Sequence, residues 1–490
     1  MNYRKGQTLM KKIYLVYPKA RGSISPEIYG HFTEHIGGVF YDGLWVGKDS
    51  NIPNIKGFRK EIIDKLREIK APVIRWPGGC FAETYDWRDG IGENRPTRIN
   101  WWTSWDKRTE SNEVGTHEFM DLCETVGAKA YFAANLTSVT PLYIRNWMDY
   151  CLSERGATSL AFEREKNGHP EPFDIPFWGV GNENWGGGGN MTPEFYGNEF
   201  RRLSAIMANA FPNTELFACG ENAWDFAWTD GLMRTVVNSE KHINGFAMHY
   251  YCGNAGDPVN FTEEEWYKQL SQAADMEKII MRNWNIICGH GMQDSAKLVI
   301  DEWGCWHPDG SGPSKGYNLF EQQSTMRDAA VTALTLNIFN NHCEKIRMAN
   351  AAQLVNNLHA LFLAGGEHCI ETPTYYVFDM FKEHQGAKLV ETVVTDNDDF
   401  NSSVSVSASV KDGKTLVTVA NLSCTEDVEV LLESVGQEIP QTAEGTILYN
   451  EDMHSHNTFE APDTVMSSEI AVDPKKPIII PKTGIVAIRF

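Results

Sequence analysis

Residues 298–303 read LVIDEW, a short aliphatic run that ends on two acidic side chains and a tryptophan. Such a run is typical of a strand that is covered on both faces in a parallel sheet. Residues 177–181, FWGVG, have the same character and lead into Asn182 and Glu183. Both stretches therefore predict buried strands with polar side chains at their carboxyl ends.

More runs of this kind surround these two, and segments with helical spacing of apolar residues lie between them. Eight strands that alternate with helices predict an α/β fold of the (β/α)8 TIM barrel type. An open doubly wound sheet would need fewer strands and usually a glycine-rich phosphate-binding turn after the first one, which the turn after residue 32 lacks. The further strands are predicted at residues 27–32, 73–76, 130–136, 215–219, 245–251 and 346–355, and helices at 58–69, 195–210 and 263–284 among others.

Beyond about residue 385 the pattern changes to short strands with alternating hydrophobicity. Residues 403–410 and 415–422 flank Asp412 and Gly413, a dipeptide that favours a tight hairpin turn. Residues 484–490 form a final strand-like run. These features predict a C-terminal all-β sandwich.

The domain division follows from these two patterns. An isolated strand-like run at residues 12–17 precedes the barrel and can add to the edge of the sandwich. We therefore predict a barrel at residues 21–385 and a sandwich made of residues 1–20 and 386–490.

The composition of the 490 residues is that of an ordinary folded protein, with 42% hydrophobic and 22% charged residues. A formal net charge of −21 repels phosphate backbones and anionic lipids, so neither nucleic acid nor a membrane is an expected partner. The 15 Trp and 17 Tyr supply flat apolar surfaces of the kind that stack on the rings of a small-molecule or oligosaccharide ligand.

The ten cysteines show no CxxC pair and no tight even spacing, which argues against a disulfide framework and against a zinc site. Residues 1–12 lack the apolar stretch of roughly 7 to 15 residues that a signal peptide needs, and no run reaches membrane-spanning length. We therefore expect a cytoplasmic protein with reduced thiols.

In a (β/α)8 barrel the active site lies at the carboxyl ends of the strands, so polar residues there are the functional candidates. Glu183 after the fourth strand and Glu302 at the end of the seventh would face one cavity. Hydrolysis of a glycosidic bond requires such a pair, one carboxyl group to donate a proton and the other to attack. Asp301 is the rival carboxylate, and strand alternation predicts that it points to the opposite side, toward the helices. The strand-end candidates are Glu34, Arg75, Asn182, Glu183, His249, Tyr251, Glu302 and Gln353.

Several motifs, in chain order, resemble the α-L-arabinofuranosidases of glycoside hydrolase family 51. The resemblance covers nearly the whole chain and implies a barrel with a β-sandwich that gathers both termini, a retaining reaction and a homohexamer. The motifs are YGHFTEH at residues 29–35, RWPGGC at 75–80, NEVG at 112–115, NE at 182–183, HYY at 249–251, DEW at 301–303 and AQLVN at 352–356.

The resemblance also implies roles by position. Glu183 would be the acid/base, Glu302 the nucleophile, and Asn182 a ligand of the sugar hydroxyl next to the reacting carbon. Tyr251 would hydrogen-bond Glu302, and His249 would lie close enough to influence Glu183. Other substrate contacts are expected from Glu34, Gln353, Cys80, Trp105 and Trp303. Trp306 is a third tryptophan that could line a sugar subsite, and Arg75 would have a supporting role.

Two features depart from the commonest family pattern. Cys80 stands where many relatives have asparagine, so binding at that point would rely on the backbone N–H because a thiol is a weak hydrogen-bond partner. Residues 186–189 are all glycine, but no Lys-Ser or Lys-Thr follows, as a phosphate-binding loop would require. We interpret this stretch as a rim loop of the cavity.

The sequence thus predicts an exo-acting, retaining α-L-arabinofuranosidase for arabino- or arabinoxylo-oligosaccharides, with no metal or organic cofactor. An endo-glucanase or β-xylosidase that uses the same two glutamates is the alternative within enzymes. A non-catalytic sugar-binding barrel is the alternative of another class, and the presence of both Glu183 and Glu302 at strand ends disfavours it.

Overall fold

The computed structural model describes residues 10–19, 21–237 and 243–490, so the sandwich segment predicted at 1–20 is described only in part. Eight parallel strands close into a barrel in which each strand pairs with its neighbour in the chain and the last pairs with the first. The predicted TIM barrel is confirmed. Its strands are Gly30–Phe32, Val73–Trp76, Lys129–Ala134, Phe177–Val180, Glu215–Asn222, Gly245–Gly253, Lys297–Trp306 and Ile346–Ala352.

Helices surround the barrel and present an apolar face to the strands. In Lys60–Glu68, Ile62 and Leu66 lie one turn apart and are fully buried. The long helix Glu263–Gly289 begins at a capping box in which Thr262 and Glu265 satisfy each other's backbone N–H groups. The other α-helices are Thr116–Val126, Pro141–Leu152, Ser159–Lys166, Pro193–Ala210, Phe226–Val236, Met326–Asn341 and Pro373–Phe381.

The first barrel strand is shorter than predicted. Residues 27–32 were expected to be extended, but Pro26–Tyr29 forms a 3-10 helix and only Gly30–Phe32 pairs with the neighbouring strands. Pro26 occupies the first position of that turn, where its fixed φ and missing N–H cost nothing. In the part of the chain that the structure describes, the other short 3-10 helices are Tyr17–Lys19, Cys80–Thr84, Lys382–His384 and Phe400–Ser402.

Nine strands form the sandwich, which wraps around a hydrophobic core of its own. Asp412 and Gly413 both have positive φ, at 50° and 79°, as the predicted tight hairpin turn requires. The strands are Lys11–Val16, Lys388–Val394, Val404–Lys411, Lys414–Asn421, Val428–Val435, Ala443–Leu448, Ser467–Val472, Ile478–Ile480 and Ile485–Arg489.

The N-terminal strand Lys11–Val16 lies inside this sheet and not at its edge, which corrects the expected position. It pairs antiparallel with Lys388–Val394 on one side and parallel with Val428–Val435 on the other. Both rows of its backbone N–H and C=O groups are therefore satisfied by neighbours. The division of the chain at residues 20 and 385 stays a prediction.

Three two-stranded ribbons complete the fold: Asn54–Ile55 with Phe58–Arg59, Arg98–Ile99 with Thr109–Glu110, and Phe362–Gly365 with His368–Glu371. Across the residues that the structure describes, no helix has the length and apolar character needed to cross a bilayer.

Candidate active site

Arg75 forms the floor of a polar cavity at the carboxyl ends of the barrel strands. Its guanidinium is 1% exposed and donates from Nη1 to Glu302 Oε1 at 2.8 Å and from Nη2 to Asn182 Oδ1 at 2.6 Å. The ring of Phe32 lies beneath it, 4.5 Å from the guanidinium carbon. One buried cation thus connects the seventh strand to the loop after the fourth.

Asp301 also faces the barrel interior, contrary to the expectation that it points toward the helices. Its Oδ2 accepts a hydrogen bond from the Tyr131 hydroxyl at 2.8 Å and lies 3.6 Å from Arg75 Nε. The register between the sixth and seventh strands skips Asp301, since Met248 pairs with Ile300 and the next residue pairs with Glu302. Such a bulge suspends strict alternation, so two consecutive carboxylates share the interior side.

Glu302 is surrounded by groups that favour its ionised form. Tyr251 donates its hydroxyl to Oε2 at 2.8 Å, and His249 Nδ1 lies 3.4 Å from the same oxygen. Burial opposes ionisation, but the charges of His249 and Arg75 together hold the pKa of Glu302 below its ordinary value. A carboxylate kept charged in a buried site is suited to nucleophilic attack.

Glu183 follows the fourth barrel strand in a left-handed backbone conformation, with φ of 43°. Non-glycine residues adopt this region rarely, and such strain concentrates at functional sites. His249 Nδ1 lies 2.9 Å from Glu183 Oε1. One oxygen of Glu183, one of Glu302 and the imidazole nitrogen all lie within 4.8 Å of one another. The two carboxylates therefore meet in one small space.

His249 is the buried group that contacts both carboxylates. Burial disfavours its charged form, but Glu302 and Glu183 raise its pKa above the ordinary value. A protonated imidazole between two carboxylates reduces their mutual repulsion. The sixth strand places His249 and Tyr251 two residues apart, so both side chains project to the same side.

Glu34 lies close to Glu302, on the other side of Gly79. Its Oε1 accepts a hydrogen bond from the backbone N–H of Phe81 at 3.0 Å, and its Oε2 accepts one from Gln353 Nε2 at 3.0 Å. Burial and the nearby charge of Glu302 raise the pKa of Glu34. Gly79 lies between the two glutamates, and a Cβ at this position would come within 2.9 Å of Glu302 Oε1. Only glycine allows the backbone to approach so closely.

Glu83, a buried glutamate that is not among the residues predicted from the sequence, holds the loop around the acid/base candidate. Its Oε2 accepts the backbone N–H groups of Leu136 and Thr137, each at 2.8 Å. Its Oε1 accepts hydrogen bonds from the backbone N–H of Asn182 at 2.7 Å and from Asn184 Nδ2 at 3.0 Å. Glu83 lies only three residues beyond the RWPGGC motif, but nothing in the sequence marks it as a buried acceptor.

The three candidate tryptophans have different surroundings. Trp303 is 1% exposed and packs on Phe339 in the helix layer, so its predicted role in substrate binding is wrong. The residue after the bulge resumes alternation and turns outward from the barrel axis. Trp306 is 41% exposed, and its ring lies edge-on to Tyr251 with centroids 5.1 Å apart, so it borders the cavity. Trp105 is 62% exposed on a loop outside the barrel strands.

A TIM barrel whose fourth and seventh strands bring two carboxylates into one cavity defines the class of the protein, a glycoside hydrolase. Comparison with known proteins gives the family. Residues 65–266 match the model of the α-L-arabinofuranosidase 1 domain, and residues 301–477 match that of the α-L-arabinofuranosidase C-terminal domain.

Relatives match over most of the chain. An intracellular exo-α-L-arabinofuranosidase of Bacteroides ovatus is 36% identical over 90% of this chain and 87% of its own length. The crystal structure of the family 51 arabinofuranosidase from Xanthomonas axonopodis pv. citri superposes with a TM-score of 0.92 at 35% identity, covering 98% of this chain and 99% of that one. The chain belongs to the α-L-arabinofuranosidases of glycoside hydrolase family 51.

A more distant likeness concerns the fold alone. The structure of CelM2, a bifunctional glucanase-xylanase from a metagenome library, matches with a TM-score of 0.65 at 13% identity, over 98% of this chain and 99% of that one. At that identity, the shared barrel carries no information about the sugar.

Proposed function

We propose that the chain removes terminal non-reducing α-L-arabinofuranosyl residues from arabino- or arabinoxylo-oligosaccharides by double displacement. In the first step Glu302 attacks the anomeric carbon while Glu183 protonates the departing oxygen. In the second step Glu183 takes a proton from water, whose oxygen displaces Glu302 and releases arabinose.

The observation that carries this proposal is the separation of the two carboxylates. Retaining glycosidases hold them about 5 to 5.5 Å apart, whereas inverting enzymes leave about 6.5 to 9.5 Å for a water molecule. Oxygens of Glu183 and Glu302 within 4.8 Å of each other support retention.

The environment supports the division of labour between the two glutamates. Arg75 and Tyr251 both donate to Glu302, which favours the charged nucleophile. Glu183 contacts His249 and the thiol of Cys80 instead. Glu34, Asn182 and Gln353 line the same cavity, and we propose that they bind hydroxyl groups of the furanose ring.

The relatives support exo action and an intracellular location. The Bacteroides ovatus protein and a Bacillus subtilis protein, 27% identical over 94% of both chains, are named intracellular exo-arabinofuranosidases, the second for α-(1→5) linkages. We propose the same mode and location for this chain. The homohexamer stays a prediction, which sedimentation velocity of the purified protein tests.

The test of the proposed function is a substrate panel with stereochemical analysis. Purified protein is incubated with an aryl α-L-arabinofuranoside, an aryl β-D-xyloside and soluble cellulose derivatives, and the first-formed sugar is followed by proton NMR. We expect release of arabinose, with the α-anomer appearing before mutarotation. First appearance of the β-anomer, or preference for the xyloside or cellulose, would overturn the proposal.

A further inference from the structure

The two oxygens of Glu183 have protein partners of different chemistry. Oε1 faces His249 Nδ1 at 2.9 Å, and Oε2 faces Cys80 Sγ at 3.3 Å. The contact with the thiol lies within the limits of a sulfur hydrogen bond. A carboxyl group that donates its proton must do so from one of these oxygens, and the partners distinguish them.

Oε1 is the oxygen that accepts a hydrogen bond from His249. His249 is buried between Glu183 and Glu302, whose charges favour the imidazolium form over the effect of burial. An imidazolium nitrogen only donates, so Oε1 accepts its N–H and cannot direct an O–H toward the same atom. The acid proton of Glu183 therefore belongs on Oε2.

The thiol beside Oε2 is a neutral and weak partner. Burial and the nearby charge of Glu183 raise the pKa of the Cys80 thiol, so the sulfur keeps its proton. An S–H group donates weakly to a carboxylate, and the sulfur accepts weakly from a carboxylic acid. It can thus face Oε2 in either protonation state of Glu183 without holding the proton against a substrate oxygen.

The glycine-rich rim keeps the thiol in this position. A Cβ at Gly187 would come within 2.8 Å of Cys80 Sγ, so the rim backbone packs directly on the sulfur. Asn182 Nδ2 lies 3.9 Å away on another side, within reach of a weak N–H to sulfur contact. The rim backbone at Gly187 therefore contacts the thiol of Cys80, and the thiol in turn contacts the carboxylate of Glu183.

We propose that Glu183 delivers and recovers its proton through Oε2, and that Cys80 is a positioning residue that holds this oxygen toward the cavity in both steps. The inference rests on the proposed acid/base role of Glu183. In step one the Oε2 proton moves to the glycosidic oxygen as the bond from the anomeric carbon to that oxygen breaks and the bond to Glu302 forms. In step two Oε2 takes the proton of the attacking water as the bond to Glu302 breaks.

The test compares Cys80→Ala and Cys80→Ser on two arabinofuranosides, one with an activated phenol and one with a sugar or alkyl alcohol as leaving group. Only the poor leaving group needs protonation, so we expect Cys80→Ala to lower its kcat/KM by about tenfold, a part of the roughly 10²- to 10⁴-fold that a general acid contributes. The kcat/KM of the activated substrate, which reports only the first step, should be nearly unaffected. Cys80→Ser, which keeps a donor and an acceptor, should recover most of the loss.

Two further variants secure the interpretation. Gly187→Ala keeps the Cys80 side chain, but the added methyl group would displace its sulfur. This variant should show the same selective loss of kcat/KM on the poor leaving group. Cys288→Ala, which changes an exposed thiol, should match wild type on both substrates. Equal losses on both substrates in Cys80→Ala, or no loss on either, would overturn the inference. Absence of activity in the wild type would instead overturn the proposed function.

Discussion

At the scale of single residues, burial alone would disfavour the charged form of Glu302. Two neighbouring buried cations stabilise that form. Arg75 and His249 both lie against its carboxylate, and their attraction outweighs the cost of removing the charge from water. Tyr251 adds a neutral donor to Oε2, the oxygen that also lies near His249. Each of these contacts can be removed separately.

Removal of the Tyr251 hydroxyl should weaken the nucleophile. A hydrogen bond to a charged group contributes about 1.5 to 3 kcal/mol, so Tyr251→Phe should lose about 10- to 100-fold in kcat/KM on an aryl arabinofuranoside. Tyr250→Phe is the matched control, because the Tyr250 hydroxyl donates to the Gln272 carbonyl, away from the two carboxylates. A loss as large in the control would show that the effect is structural.

Replacement of His249 by asparagine should move the acid limb of the pH profile. The charged imidazole favours the ionised form of Glu302, so its loss raises the pKa of that carboxyl group. A smaller fraction is then ionised at low pH, and the acid limb of kcat/KM should shift toward higher pH. His342→Asn, at a half-buried site paired with Glu277, serves as the control. An unchanged limb in His249→Asn would contradict the assigned cause.

At the scale of elements, Glu83 connects the loops after the third and fourth barrel strands. In Glu83→Gln an NH2 group replaces one of the two oxygens that accept hydrogen bonds from N–H groups. The N–H groups left without an acceptor should lower the free energy of unfolding by about 1 to 3 kcal/mol. We expect a lower free energy of unfolding in urea and reduced kcat/KM on poor leaving groups, since the loop carries Glu183. Glu93→Gln, at an exposed position, should change neither. Wild-type kinetics in Glu83→Gln would exclude this role.

The sequence predicted the barrel because short, buried, aliphatic runs identify parallel strands without tertiary information. It placed Glu183 after the fourth strand for the same reason, and Glu302 at the end of the seventh, although that strand continues to Trp306. It failed where the backbone departs from alternation: the bulge at Asp301 turns that carboxylate inward and directs Trp303 to the helix layer. A bulge leaves no mark in the hydrophobic pattern.

Other failures concern long-range order. The position of Lys11–Val16 in the middle of the sandwich depends on strands almost four hundred residues away in the chain, to which no local pattern refers. Glu83 was missed because a single glutamate in a sequence resembles any surface residue. Its four N–H donors come from two separate loops and become visible only after folding.

At the scale of the whole molecule, the sandwich and the barrel share buried polar contacts. Asn340 Nδ2 of the helix Met326–Asn341 donates to Ser407 Oγ at 3.0 Å, and Thr418 Oγ1 donates to Asn337 Oδ1 at 2.8 Å. Trp266 Nε1 donates to the Leu422 carbonyl at 3.0 Å. Breaking this interface would leave these groups without partners, which favours joint unfolding.

The consequence is that a defect in the sandwich should destabilise the active site. Ile13 is fully buried in the sandwich core, and Ile13→Ala should lower the free energy of unfolding by about 2 to 5 kcal/mol. Loss of activity and loss of the circular dichroism signal should shift together to lower denaturant concentration. Lys12→Ala, on the partly exposed face of the same strand, should have little effect. An activity midpoint that stays unchanged in Ile13→Ala would show that the barrel unfolds independently.

The identity of the nucleophile is tested most directly by trapping the covalent intermediate in Glu183→Ala. With an activated aryl α-L-arabinofuranoside the first step needs no acid, whereas the second lacks its base, so the glycosyl-enzyme should accumulate. After acid quench and proteolysis, mass spectrometry should find one pentosyl group on the peptide that contains Glu302, and on that residue. A pentosyl group on Glu34 or Asp301, or a burst of phenol without any adduct, would contradict the account.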